Sequence, residues 1–159
     1  MKRETVVAGG TFALIPLTIL ALSTLCTWLV AHGASPFLRL PFKLICHGIE
    51  RRCLIIWNTP MPICARCTAI YLGLFGGLAV FFVLPWLHEK AARWVMYAAA
   101  VPMAIDGVTQ AIGLRESTNS LRVMTGSLAG FAFGYWILSA IERRDERVAA
   151  TRKDVHPSS

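Results

Sequence analysis

Charge is scarce in this chain. Only 16% of its 159 residues are Asp, Glu, Lys or Arg, where a soluble domain carries about a quarter. Acidic residues are fewest, nine against sixteen basic ones. The shortage argues against an ordinary water-soluble domain, and with a mean hydropathy of +0.56 it points to a membrane protein. The regular alternation of a membrane-spanning barrel is also missing, which leaves helices to satisfy the backbone in lipid. The net charge of +7 does not argue for a nucleic-acid partner. The cations stand at the ends of apolar runs, where topology and phospholipid headgroups account for them.

Four runs of little or no charge lie at about 9–31, 68–87, 94–114 and 123–141, the third interrupted by Asp106 alone. About 20 apolar residues suffice to cross a bilayer core as a helix. The expected fold is all-α: an integral membrane bundle of four transmembrane helices over 1–142, with a Cys/His-containing loop between the first two. The charged tail over 143–159 is expected to continue the last helix briefly and then fray into a partly disordered end. The first run is expected to be retained, since it exceeds a signal-peptide core and no clean small-x-small cleavage site closes it.

Four spans put both termini on one side. That side then holds Lys2, Arg3, Lys90, Arg93, Arg143, Arg144, Arg147, Arg152 and Lys153, nine cations against seven opposite. The slight excess favours cytoplasmic termini in a multi-pass protein of a bacterial or archaeal cell membrane. In either orientation the connections 32–67 and 115–122 face one compartment.

The stretch "CHGIERRCLIIWNTPMPICARC", Cys46 to Cys67, holds four of the five cysteines. Cys64 and Cys67, spaced Cys-x-x-Cys, can converge on one metal ion, with Cys46 or His47 as the distant partner. Adjacent Cys46 and His47 point apart in regular structure, so three protein ligands and an open position are one outcome. Thiolate and imidazole donors suit zinc. The same residues permit redox chemistry, because a Cys-x-x-Cys pair at a helix N-terminus has a stabilised thiolate. That plan is similar to bacterial disulfide-bond formation protein B and vitamin K epoxide reductase, with Cys46 and Cys53 as a second, shuttling pair and quinone as the oxidant. Plain structural disulfides are the third reading.

A carboxylate inside a span is costly unless it is paired or faces a polar cavity, so Asp106 is a functional candidate. Thr109 and Gln110 follow it at helical spacing and extend a polar stripe towards "RESTNSLR". There Arg115 and Arg122 can grip a carboxylate or phosphate through paired N–H groups. Asp106, Arg115 and Arg122 are the catalytic candidates, with Arg52, Arg66, Thr109, Gln110 and Asn119 as binding residues around them. Ser117, Thr118 and Asn119 serve equally as helix caps. Gly126, Gly130 and Gly134 form a small-residue ladder on the fourth run, and Gly73 with Gly77 repeats it on the second, as close helix packing requires.

The pieces "CHGIERR", "PICARCTAIYLG", "DGVTQ" and "RESTNSLRVMTG" make the chain resemble the bacterial and archaeal membrane family known as domain of unknown function 2085, over roughly residues 44 to 135. The resemblance falls on Cys46, His47, Arg52, Pro62, Cys64, Arg66, Cys67, Thr68 and Tyr71. Two positions depart from the family pattern: Cys53 where Ser is usual, and Ala69 where Gly is usual. A Cys46–Cys53 shuttle would then not be shared chemistry, which favours the metal reading. The resulting expectation is a zinc-binding cluster and an Asp/Arg pocket at one membrane face, acting on a lipid or lipid-phosphate substrate, with Asp106 as base for water activated at the metal. The alternatives are a quinone-linked thiol-disulfide oxidoreductase and a non-enzymatic carrier or assembly factor. Membrane lipid is the expected partner, and the oligomeric state is left open.

Overall fold

The computed structural model describes residues 3–84, 87–114 and 116–155. Helix α1 spans Arg3–Ala31, α2 Ala65–Val83, α3 Glu89–Ala111 and α4 Asn119–Val155. Among the described residues, three helices are long and apolar enough to cross a membrane, over Gly9–Ala31, Ala65–Val83 and Asn119–Thr151. α3 is as long as a span, but Glu89, Lys90 and Arg93 in its first turns and the stripe Asp106–Thr109–Gln110 dilute its apolar character. The expected four-span bundle therefore reduces, on length and composition, to three candidate spans and a fourth helix packed against them.

The connection between α1 and α2 is not the irregular loop of an all-α protein. Ser35 caps a 3-10 segment, Pro36–Leu44, that opens on a proline; its side chain accepts a bond from Phe37 N–H. A short helical turn at Glu50–Arg52 leads into an antiparallel hairpin of β1, Cys53–Ile56, and β2, Thr59–Cys64. Trp57 and Asn58 make its two-residue turn, and both have positive φ, 51° and 56°. Such a turn matches the twist of the flanking strands. Its usual signal is Asn-Gly; Trp-Asn carries no such signal, which is why the hairpin is not read from sequence.

Helix ends also depart from the apolar runs. α2 starts at Ala65 because Cys64 caps it, so Cys67 sits inside the helix. α4 starts at Asn119, where Thr118 Oγ1 accepts a bond from Leu121 N–H at 3.3 Å. At its far end α4 runs unbroken to Val155, a longer helical extension than the short one expected. Glu and Arg are good helix formers, and backbone bonding does not stop where hydropathy does. Thr5 Oγ1 donates to Asp145 there at 3.4 Å, which ties the start of α1 to this extension.

The core lies between α2, α3 and α4, on Leu78, Phe81, Ala92, Tyr135 and Leu138. Tyr135 also satisfies the α2–α3 connection: its hydroxyl accepts from Leu87 N–H at 3.0 Å and donates to the Leu84 carbonyl at 2.8 Å. The two glycine ladders meet. A Cβ on Gly77 would fall on the Phe131 carbonyl, and one on Gly130 on the Ile70 carbonyl. The same close approach carries the start of α4 to the start of α2, where a Cβ on Gly126 would lie 2.8 Å from the Arg66 carbonyl oxygen. That juxtaposition sets up the polar site.

A candidate metal centre beside an arginine pocket

The sulfur atoms of Cys46, Cys64 and Cys67 lie within 4.8 Å of one another. Each is placed by a separate local device. Cys64 is the last residue of β2 and the N-cap of α2. Its sulfur accepts a bond from Cys67 N–H at 3.5 Å, which caps the first turn of the helix. Cys67 follows one turn on. Cys46 is brought in by a tight turn at Gly48, whose φ is +57°. A Cβ there would also stand 2.9 Å from the Pro62 carbonyl oxygen, so both conformation and space require glycine.

The Cys46 sulfur accepts a bond from Cys64 N–H at 3.3 Å. Its pKa is held well below the usual thiol range, chiefly because the Cys64 and then the Cys67 thiol donate to it; backbone N–H groups of Cys64 and Gly48 add to this against the opposing effect of burial. The trio therefore holds one negative charge readily, on Cys46, while the Cys67 thiol, which gives bonds to Cys46 and Cys64, stays a neutral donor. Bonds of about 2.3 Å to a tetrahedral ion need ligand sulfurs about 3.8 Å apart, so three convergent thiolates fit zinc with one position open.

Cys53 stands across the hairpin from Cys64 but is not one of the three. It is buried and its thiol donates to the Ile49 carbonyl at 3.2 Å. Burial first, and then the nearby charges of Cys64 and Cys46, push its pKa up to about 11. It is thus a neutral thiol beside a charged trio. Cys26 is buried in α1, as a small apolar side chain would be.

Of the two candidate partners in the loop, Cys46 joins the trio and His47 does not: its side chain is exposed. Sequence spacing leaves that choice open, and the Gly48 turn makes it.

Beside the thiols runs a chain of polar contacts. Arg66, within the Cys-x-x-Cys pair, reaches from α2 to an ion pair with Asp106 on α3. Asp106 is only 3% exposed, and the Arg66 side chain 22%. Gln110 Nε2 also donates to the Asp106 carboxylate at 2.9 Å. The Gln110 amide oxygen in turn accepts from Arg122 at 2.9 Å. Arg122 donates as well to Asn119 Oδ1 at 2.8 Å, and Asn119 Nδ2 reaches the Cys53 carbonyl at 3.4 Å. The chain ties α3 and the start of α4 back to the hairpin.

Arg52 and Arg66 both lie near enough to Arg122 to repel it, with Asp106 opposing them. Arg66 Nε is buried without a hydrogen-bond partner. Three guanidinium groups near one another, with Arg66 Nε unpartnered, leave positive charge and donors suited to an anion. Thr109 is the one member of the expected stripe that this polar chain omits, for its hydroxyl bonds back to the Ile105 and Asp106 carbonyls of its own helix. Arg115 lies outside the described residues.

The family model described as "Predicted membrane protein (DUF2085)" matches residues 46–136, which enclose the thiol trio, Arg66, Asp106, Gln110 and Arg122. An uncharacterized protein of Methanocaldococcus jannaschii is 41% identical over 99 residues, 61% of this chain and 64% of that protein. An uncharacterized protein of Methanothermobacter thermautotrophicus is 39% identical over 89 residues, 56% of this chain and 80% of that protein. The chain thus covers a little under two thirds of the first of these relatives. No solved structure matches it.

Proposed function

Because the chain belongs to the DUF2085 family of predicted membrane proteins, we propose that α3 crosses the bilayer with the three more apolar helices, and that the protein holds a metal ion, zinc by preference, at Cys46, Cys64 and Cys67. The polar stripe of α3 is turned inward to Arg66 and Arg122, which removes the main objection to its burial in lipid. Four spans place both termini on one face, and the slight excess of cations there makes that face cytoplasmic. Reporter fusions at Ser159 and within residues 36–60 are expected to report opposite compartments, the second extracytoplasmic. A cytoplasmic signal from the second fusion overturns this orientation.

The single observation that carries the metal reading is the convergence of three sulfurs on one small volume. When bound, the ion supplies Lewis acidity at its open position. Arg52, Arg66 and Arg122 bind and orient an anionic group, such as the phosphate of a lipid-borne substrate, beside that position. Asp106 acts through Arg66 as a positioning residue, because its carboxylate is already engaged by Arg66 and Gln110.

Elemental analysis of the purified protein is expected to give about one zinc per chain. Cys46→Ser, Cys64→Ser and Cys67→Ser should each remove most of it, whereas His47→Ala retains it. One observation favours a second reading: a Cys-x-x-Cys pair with its first sulfur at a helix N-terminus also suits thiol–disulfide exchange. Metal-free protein with a Cys64–Cys67 disulfide reduced and re-formed by a quinone couple would replace the metal proposal with that one.

A further inference from the structure

A cavity of about 630 Å³ lies between the Pro36–Leu44 segment and the turn at His47 and Gly48. Arg39 and Lys43 line it, with Glu50 the single acidic residue among the described lining. Arg39 is largely buried, yet its guanidinium is poorly used. Its ion pair is a 3.6 Å contact to Glu50, itself well exposed, and its Nε is buried with no partner. A guanidinium with its Nε buried and unpartnered gains from an anion that completes it.

The rim of the cavity is apolar and faces outward. Phe37 is 76% exposed, Leu40 about half exposed, and Leu44, nearby on the same segment, is 91% exposed. Side chains of that size are rarely left so bare in water. The segment begins shortly after Ala31, where the apolar stretch of α1 ends, so it lies at the level of the lipid headgroups. Cations below an apolar rim at that depth complement an anionic amphiphile.

We propose that this cavity is a lipid site: Arg39 and Lys43 hold the headgroup phosphate of an anionic membrane lipid, and its acyl chains run out over Phe37 and Leu40. The site is separate from the thiol trio and does not depend on its metal. Each charge-assisted contact to the phosphate corresponds to roughly a tenfold change in affinity or more.

The test uses the full chain purified in an uncharged maltoside detergent, with bound lipid counted by native mass spectrometry. Phosphatidylglycerol is expected to be retained about tenfold over phosphatidylcholine. Arg39→Gln should abolish that preference, and Lys43→Gln, at an exposed position that is safe for folding, should reduce it. Both variants should keep the metal content of the parent. Arg51→Gln removes an exposed cation outside the cavity and should change nothing. Equal retention of the two lipids, an unaffected Arg39→Gln, or an equal loss in Arg51→Gln would overturn the site. Complete displacement of phosphatidylglycerol by millimolar inorganic phosphate would also overturn it, since a free anion would then be the ligand.

Discussion

Asp106→Leu is expected to destabilise the protein by about 3–5 kcal/mol and to lower its yield, because it strands the guanidinium of Arg66 in a largely buried site. The penalty belongs to the charge left behind more than to the missing ion pair. Asp106→Asn keeps the shape and still accepts from Gln110, so it should fold nearly as well while holding Arg66 loosely. The decisive comparison is the double variant Asp106→Leu with Arg66→Met. Removing both partners should restore much of the stability that Asp106→Leu costs, read as the unfolding temperature in detergent by fluorescence-detected size exclusion. If the double variant is as destabilised as the two single effects added together, the pair is not coupled and Asp106 is held by something else. Asp106→Asn should then separate the roles. It is expected to spare the fold and the thiol-bound metal but to weaken anion binding, because Arg66 no longer has its anchor.

Gly77→Ala is expected to be as damaging in its own way. A methyl group there would lie on the Phe131 carbonyl, so α2 and α4 must part along their whole shared face. Overpacking of this kind costs about 1–3 kcal/mol, and more where, as here, the obstacle is backbone rather than a mobile side chain. The neighbouring Gly76 is the matched control. Its added Cβ would meet only the Phe131 ring, at 3.5 Å, an ordinary van der Waals distance, so Gly76→Ala should be nearly neutral. Parting the helices has a second consequence, since the same approach brings Arg122 up to the level of Arg66. Gly77→Ala should therefore lower anion binding as well as the unfolding temperature, and Gly76→Ala should do neither. If the two alanine variants behave alike, the close approach of α2 and α4 is not what holds the bundle together.

Membrane residence, the helical class and the small-residue seam were legible in the sequence because each rests on composition or on spacing along one helix. The crowding of cysteines between Cys46 and Cys67 was equally plain, and so was the need of Asp106 for a partner, since a carboxylate in an apolar run has few other resolutions. Spacing also put the Cys64 and Cys67 sulfurs close together, for residues three apart share one side of a helical turn.

What the sequence by itself determined is therefore the solvent of this protein, its helices and the side chains that lipid would force together. Only the tertiary structure decided which of them meet. Cys46 was chosen over His47 by the left-handed turn at Gly48, which aims one of two adjacent side chains at α2 and the other outward. Arg66 was singled out as the described ion-pair partner of Asp106 because α2 and α3 start and end at the same face. Thr109 dropped out because its hydroxyl is satisfied within its own helix. The hairpin at Trp57–Asn58 and the full length of the α4 extension were hidden for a related reason. Hydropathy reports where a segment prefers to lie, whereas strand pairing and helix continuation are settled by backbone bonds that hydropathy does not record.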